Sequence, residues 1–300
     1  MIGIRPLLAA TLDPLNDPTV LNRIRFPVFC SPKLDGIRAI SMGGGQLLSR
    51  SGKLIPSKQA RALFGGFNKL DGELIYDNPT IPNVYNVTLS FVMSIAKPAI
   101  GDDGLPLLRY YVFDRITDDP YEVRNRSLPV GDKWLIPLPQ THISSLDTLL
   151  VYEEECLKAG YEGIMIRSIN GLYKQGRATL NDQILMKLKR FSEFEARIVA
   201  FEEQLTNLNT PILDDLGYTE RSTSKENLVP ADTLGSIIVD YQGMPLSVSC
   251  GCMDHAMRKH VWRNQKLFLG KVIVVRHLDK NLIGYLPRFG RFAGFREDGR

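Results

Sequence analysis

Residues 31–40 read SPKLDGIRAI and set one lysine, Lys33, between a proline and an aspartate in an otherwise apolar run. Apolar FPVF precedes them at 26–29, so the segment reads as a buried strand, a turn at Asp35-Gly36, and a second strand carrying Arg38. A lysine settles in such a place only with a partner or a task. With an ordinary pKa of about 10.4 it is almost wholly protonated near neutrality, so a lysine that attacks needs help. Desolvation and neighbouring positive charge both disfavour the ammonium and supply that help.

Outward from this point, LMKLKRF at 185–191 alternates Lys187 and Lys189 with Met186 and Leu188. Two residues apart on a strand, the two ammonium groups share one face and the apolar residues take the other. If that face meets Lys33, its pKa is expected to fall, and the same pair can hold phosphate oxygens. Read alone, such a pair is usually just an exposed edge. LDGELIYD presents Glu73 and YEGIMIRS presents Glu162, each beside a glycine on an apolar strand. Carboxylates so placed bind ribose hydroxyls or a Mg²⁺ ion carrying a triphosphate, or are ordinary turn acids. Phe113, in RYYVFDRI, either fills the core or offers its face to a purine.

Composition sets bounds on these readings. At 300 residues and 44% hydrophobic there is material for one large domain or two. No window approaches 18 apolar residues, and MIGIRPLLAATLDP lacks a secretory pattern, so a soluble, intracellular protein with no membrane partner is expected. Cys30, Cys156, Cys250 and Cys252 show no paired zinc spacing and read as reduced thiols. The net charge is +4, yet residues 251–300 hold eleven Lys or Arg against four Asp or Glu. That basic final stretch suits a polyanion partner, or a solvated face.

Residues up to 190 mix the strands FPVFCSPK, IRAISM, QLLSRSG, LDGELIYD, RYYVFDRI, EGIMIRS and ILMKLKRF with a helix in SSLDTLLVYEEECLKAG, capped by Ser145 and stopped at Gly160. Irregular alternation argues for an α+β fold. From 191 onward, FEARIVAFEE, LGSIIVDY, MPLSVSCG and KVIVVRHL read as strands, with a turn at Gln242-Gly243 and one helix in DHAMRKHVWRNQKLFL. Several strands and one helix suit a small β-barrel of the OB kind. Between the first two strands lie thirty polar residues, 204–233, a length that is usually functional or disordered.

KLDGIR, SRSG at 49–52, DGE at 71–73, YYVFD at 110–114, EGIMIR at 162–167 and MKLK at 186–189 together resemble the collinear motifs of the covalent nucleotidyltransferases. Their wording is similar to the ATP-dependent DNA ligases of the minimal viral, Chlorella virus type. The likeness runs from PLLAATL at 6–12 through YKQGRATL at 173–180 to GYTERSTSK, GSIIVDY and the PRF near the C-terminus. NAD-dependent ligases do not fit, because their zinc cysteines and extra domains have no room here; mRNA guanylyltransferases (capping enzymes) and RNA ligases are the alternatives.

The resemblance implies an ATP-grasp-like nucleotidyltransferase domain over 1–190, of antiparallel sheets with helices. An OB-fold domain over 191–300 would follow, with a DNA-clamping latch at about 204–234 in which Arg221 and Lys225 meet phosphates. It implies ATP and Mg²⁺ (or Mn²⁺) as cofactors and nicked double-stranded DNA as partner. It further implies a virus-encoded monomer that encircles DNA. Lys33 would be the nucleophile that becomes lysyl-AMP, and Arg38 and Arg50 would grip the nick phosphate or the adenylate. Glu73 would meet the ribose and a metal, and Glu162 would be a metal ligand. Phe113 would stack on adenine, and Lys187 and Lys189 would touch the α-phosphate. Arg288 and Arg296, in LPRFGRFAGFRED, would orient pyrophosphate. Incubation with ATP and GTP separates ligase from capping enzyme, because only the latter takes its label from GTP.

Overall fold

The computed structural model describes residues 4–96, 101, 107–129, 131, 133–283 and 286–296, the side chains of 278–283 and 288 excepted. The chain divides into two compact units, Met1–Lys189 with Asp214–Tyr218, and Arg190–Leu213 with Thr219–Arg300.

The first unit holds two five-stranded sheets. One is formed by β4 (Ile37–Gly43), β5 (Gln46–Ser49), β6 (Asn68–Tyr76), β7 (Leu108–Arg115) and β8 (Leu135–Pro137), in the order β5-β4-β6-β7-β8. Gly43, Gly44 and Gly45, all at positive φ, turn β4 into β5. The other sheet contains β2 (Ala10–Leu12), β3 (Val28–Pro32), β9 (Thr141–Ile143), β10 (Ile164–Ser168) and β12 (Leu185–Leu188), in the order β2-β12-β10-β3-β9. Its strand β2 runs parallel to β12, with Thr11 opposite Lys187. Just before it, β1 (Leu7–Leu8) pairs in parallel with β11 (Gly176–Arg177). The opening dozen residues thus join strands from the far end of the same unit.

Among the described residues, four α-helices pack on these sheets. Helix α1 (Lys58–Phe64) sends Ala60 and Phe64 into a core with Ala39, Leu70, Leu74, Tyr110 and Val112, and α2 (Val84–Val92) adds Val92. The short α3 (Tyr121–Arg126) buries Tyr121 and Arg124. Helix α4 (Leu146–Lys158) lays Leu149 and Cys156 against Val28, Cys30, Ile164 and Leu188 of the second sheet. Ser145 accepts from the Thr148 N–H and the Thr148 hydroxyl returns to the Ser145 N–H, so the cap expected at Ser145 is completed by a threonine.

In the second unit β13 (Ser192–Asn207), β16 (Leu228–Tyr241), β17 (Met244–Ser249), β18 (Val272–Ile283) and β19 (Leu286–Phe295) close a barrel in the order β13-β16-β17-β19-β18. Ile198, Ile237, Val239, Val248, Ile273 and Val275 fill it. Gln242 and Gly243, at φ 53° and 82°, form the turn between β16 and β17, as the sequence predicts.

Two expectations change here. About half of the polar stretch at 204–233 is strand: β13 runs on to Asn207, β16 begins at Leu228, and β14 (Pro211–Leu213) pairs with β15 (Thr219–Arg221) between them. Asn209, buried, donates from its amide to the carbonyls of Ser222 and Ser224. Backbone pairing satisfies such a segment even when its side chains are polar, which hydropathy does not register. The single helix expected in 254–269 is two, α5 (His255–Arg263) and α6 (Gln265–Phe268), broken where Asn264 leaves helical backbone at φ −120°, ψ 36°.

Candidate active site

Lys33 sits in the short link between β3 and β4. Its N–H donates to the Gly163 carbonyl at 2.8 Å, tying the link to the start of β10. Two glycines allow this approach. A Cβ on Gly36 would lie 2.4 Å from the Leu74 carbonyl oxygen, and the Gly36 N–H donates to Glu73 Oε1 at 3.0 Å. Gly163, at φ 149°, would place a Cβ 2.3 Å from the Leu188 carbonyl oxygen. Without these two residues the lysine link, β6, β10 and β12 could not converge.

At this convergence Lys33 Nζ donates to Glu162 Oε2, and Lys189 Nζ donates to Glu162 Oε1 at 3.2 Å. Here the structure corrects the expected pKa of the nucleophile. Burial works to lower the Lys33 pKa, but the charge and hydrogen bond of Glu162, with the charges of Glu73 and Asp35, outweigh it and the pKa is raised. Burial likewise works to raise Glu162, and Lys33 and Lys189 overcome it and hold the carboxyl below its usual range. Glu73 moves the other way: burial raises its pKa against the pull of Lys33 and Arg38. The lysine that is lowered is Lys187, to about 8, by burial and then by the charges of Lys189, Lys33 and Arg177. Strand spacing puts Lys187 and Lys189 on one face but does not register the carboxylate between Lys33 and Lys189.

Below Lys33 lies a buried charge network. Arg38 Nε and Nη2 each reach one oxygen of Asp71 at 2.5 Å, and Nη2 also donates to the Leu7 carbonyl at 3.2 Å. Burial opposes the Arg38 charge, but Asp71 prevails and the pKa rises. The guanidinium lies 4.6 Å over the ring of Phe113, and Arg167 lies 5.4 Å from the same ring. Arg167 Nη1 and Arg124 Nε both donate to Asp114, at 2.6 and 2.7 Å; Asp114 is 0% and Arg124 1% exposed. Phe113 itself is buried, at the edge of a cavity.

That cavity measures about 770 Å³, within the range of small-ligand sites, and is open to solvent. Lys33, Arg38, Arg50, Glu73, Phe113 and Lys187 all line it, so six of the residues singled out in the sequence meet here. Arg5, Arg167 and Arg177 line it too and were missed. Arg167 had a readable signal, since it stands two residues beyond Met165 on the strand that Glu162 introduces. Arg177, whose Nη1 donates to the Ala9 carbonyl at 2.9 Å, had none apart from its place in YKQGRATL. Arg296 belongs to the barrel unit, where it pairs with Glu195; the Arg288 side chain lies outside the described residues.

Among the described residues no three His, Cys, Asp or Glu side chains converge as a metal cage. Glu162 and Glu73 fit the other mode of divalent binding, in which one or two carboxylates share the ion with substrate phosphates and water. Cationic walls, an aromatic residue at the cavity's edge and a lysine held by a carboxylate suit a nucleoside triphosphate and nucleophilic chemistry at its phosphorus.

No protein-family model matches the chain, and no curated protein does. Among solved structures, the chain is similar over 98% of its length to all of a Chlorella virus DNA ligase-adenylate, with 30% identity and a TM-score of 0.52. A second crystal structure of Chlorella virus DNA ligase-adenylate is covered in full by the full chain, at 31% identity and a TM-score of 0.52. A Lig E DNA ligase described as binding DNA with a minimal scaffold shares the fold at a TM-score of 0.69 and 21% identity, over 98% of this chain and 100% of that one.

Proposed function

The chain belongs to the ATP-dependent DNA ligases, and from that premise we propose that it seals nicks in duplex DNA through an AMP carried on Lys33. First, neutral Lys33 Nζ attacks the α-phosphorus of ATP. A P–N bond forms and the P–O bond to pyrophosphate breaks; the nitrogen, deprotonated once before attack, sheds a second proton as the phosphoramidate forms. Lys33 rests as an ammonium against Glu162, which holds it in place; because that pairing favours the charged form, the first proton goes to solvent before the amine attacks. AMP then passes to the 5′-phosphate at the nick and frees the amine. Last, the 3′-OH displaces AMP and closes the strand. Each step is a displacement at phosphorus, in which alignment and charge neutralisation supply most of the acceleration.

Lys187 and Lys189 would hold the α-phosphate, Glu73 the ribose, and Phe113 the adenine. Arg38 and Arg50 would meet the nick phosphate or the adenylate, and Arg288 and Arg296 would orient pyrophosphate. Glu162 and Glu73 would hold Mg²⁺ or Mn²⁺, which neutralises phosphate charge when bound. Residues 1–190 act as the nucleotidyltransferase domain in this reading, with two antiparallel-rich sheets in its support. Residues 191–300 act as an OB-fold domain, supported by the closed five-stranded barrel, with 204–234 as a latch on the duplex. The active species is a monomer encircling DNA inside the cell; among the described residues no helix is long and apolar enough to cross a membrane.

One observation carries this reading: the Lys33 amine is held by Glu162 at the wall of the cavity, with Lys187 and Lys189 beside it. Mass spectrometry after mixing with Mg-ATP should find one adenylyl group, attached at Lys33, and Lys33→Ala should abolish both adduct and sealing. An unmodified protein, or a label taken from GTP instead, would overturn it.

A further inference from the structure

Tyr173 lies in the loop after β10 and takes no part in the chemistry above. Its hydroxyl donates to Asp71 Oδ2 at 2.7 Å and accepts from the Leu7 N–H at 3.2 Å. The Leu7 carbonyl in turn accepts from Arg38 Nη2, and Arg38 grips Asp71 with two bonds. Arg38, Asp71, Tyr173 and the backbone N–H and C=O of Leu7 therefore close a ring across four segments of the chain. Register explains the first side of it. Arg38 pairs with Glu73 and Ile40 with Asp71, so Arg38, Asp71 and Glu73 share one face of the sheet. Leu7 and Asp71 are both 0% exposed, so no water replaces a lost partner without rearrangement. Burial also pushes the Tyr173 hydroxyl far above its usual range, so it stays a donor at all working pH.

Nothing else described fixes both ends of this arrangement. Asp71 alone sets the distance of the Arg38 fork, but an aspartate can rotate about its own side-chain bonds. Tyr173 anchors the oxygen that Arg38 Nη2 shares, and through Leu7 it anchors the other acceptor of the same nitrogen. The plane of the guanidinium over Phe113, at the cavity wall, is thereby set from two sides.

We propose that Tyr173 is a positioning residue of the ligase reaction, acting through Asp71 and the Leu7 peptide to hold Arg38 in its working orientation. This rests on the reading of Arg38 as a contact to the nick or the adenylate. The test is a double-mutant cycle on the sealing rate of a nicked duplex with Mg-ATP, using Tyr173→Phe, Arg38→Lys and the double variant. Arg38→Lys keeps a cation and loses the fork. Tyr173→Phe is expected to slow sealing on the order of tenfold in the native background and to change it little in the Arg38→Lys background. Equal factors in both backgrounds, or no slowing at all, would overturn the proposal, since a merely structural tyrosine scales both alike. If Arg38→Lys seals at the native rate, the reading of Arg38 itself fails, which is a separate result. Asp71→Asn enters the same ring from its other side and should give the same background-dependent pattern. It decides the matter if Tyr173→Phe does not fold.

Discussion

In the unit built on residues 1–189, Arg124 and Arg167 lie buried against Asp114, and Arg38, partly buried, is held by the fully buried Asp71. In the barrel unit, the pairs Arg263–Asp232 and Arg296–Glu195 stand largely in solvent around an interior of Ile, Val, Leu and Phe. The barrel can hold its shape by apolar burial alone and leave its surface cations to meet a polyanion. The first unit keeps cations at fixed points beneath a cavity, and fixing them requires carboxylates equally cut off from water. Its stability thus depends on each partner being present, whereas exposed pairs such as Arg263–Asp232 and Arg296–Glu195 add little to the barrel's.

The sharpest way to break this contrast is Asp114→Ala, which leaves Arg124 and Arg167 buried without their carboxylate. A loss of about 3–5 kcal/mol is expected in denaturant unfolding. A loss near zero would mean that the network is not holding the unit. Next comes the pH dependence of self-adenylation. Lys33, with its raised pKa, is neutral in a fraction that grows about tenfold per pH unit, so the rate at limiting ATP should climb at that slope. Above about 8 Lys187 loses its charge and the climb should flatten. Lys187→Arg, which stays charged, should let it continue. A single unbroken slope in the native protein would dismiss Lys187 as a phosphate contact. For stability the sign is opposite in origin. Between about 8 and the ordinary lysine range the unfolded chain binds more protons at Lys187 than the folded one, so that group's contribution improves as pH rises. Smallest of all, Glu195→Ala should leave the unfolding midpoint unchanged, as expected of an exposed pair.

Much of this was legible in the sequence, and for separable reasons. Strands β3 to β7, β10 and β12 announce themselves by apolar alternation, and the lysine, the two glutamates and the aromatic residue stand at their ends or faces. Helices α1, α2 and α3 escaped: α1 and α3 are short, and α2, VYNVTLSFV, is mostly apolar and rich in β-branched residues, so no helical period stands out. Strand β19 was read for its arginines and not for its alternation. At the site, local patterns could show which residues carry charge but not which charges meet. That Glu162 would meet Lys33, or that Tyr173 would reach Asp71, depends on contacts between segments more than a hundred residues apart, and that Lys189 would join them depends on the register of β10 with β12. The raised pKa of Lys33 follows from such a meeting, and a count of nearby cations pointed the wrong way.

The parallel pairing of β2 with β12 sets a timetable as well as a geometry. On a ribosome adding about 5–20 residues per second, the strand at 10–12 emerges and then waits roughly ten to thirty-five seconds for its neighbour at 185–188. Through that interval the strand has no edge to join, and the lysines it will border have not yet been translated. A chain cut short anywhere before residue 185 leaves Ala10–Leu12 without the strand it pairs with, its backbone groups open to any other edge.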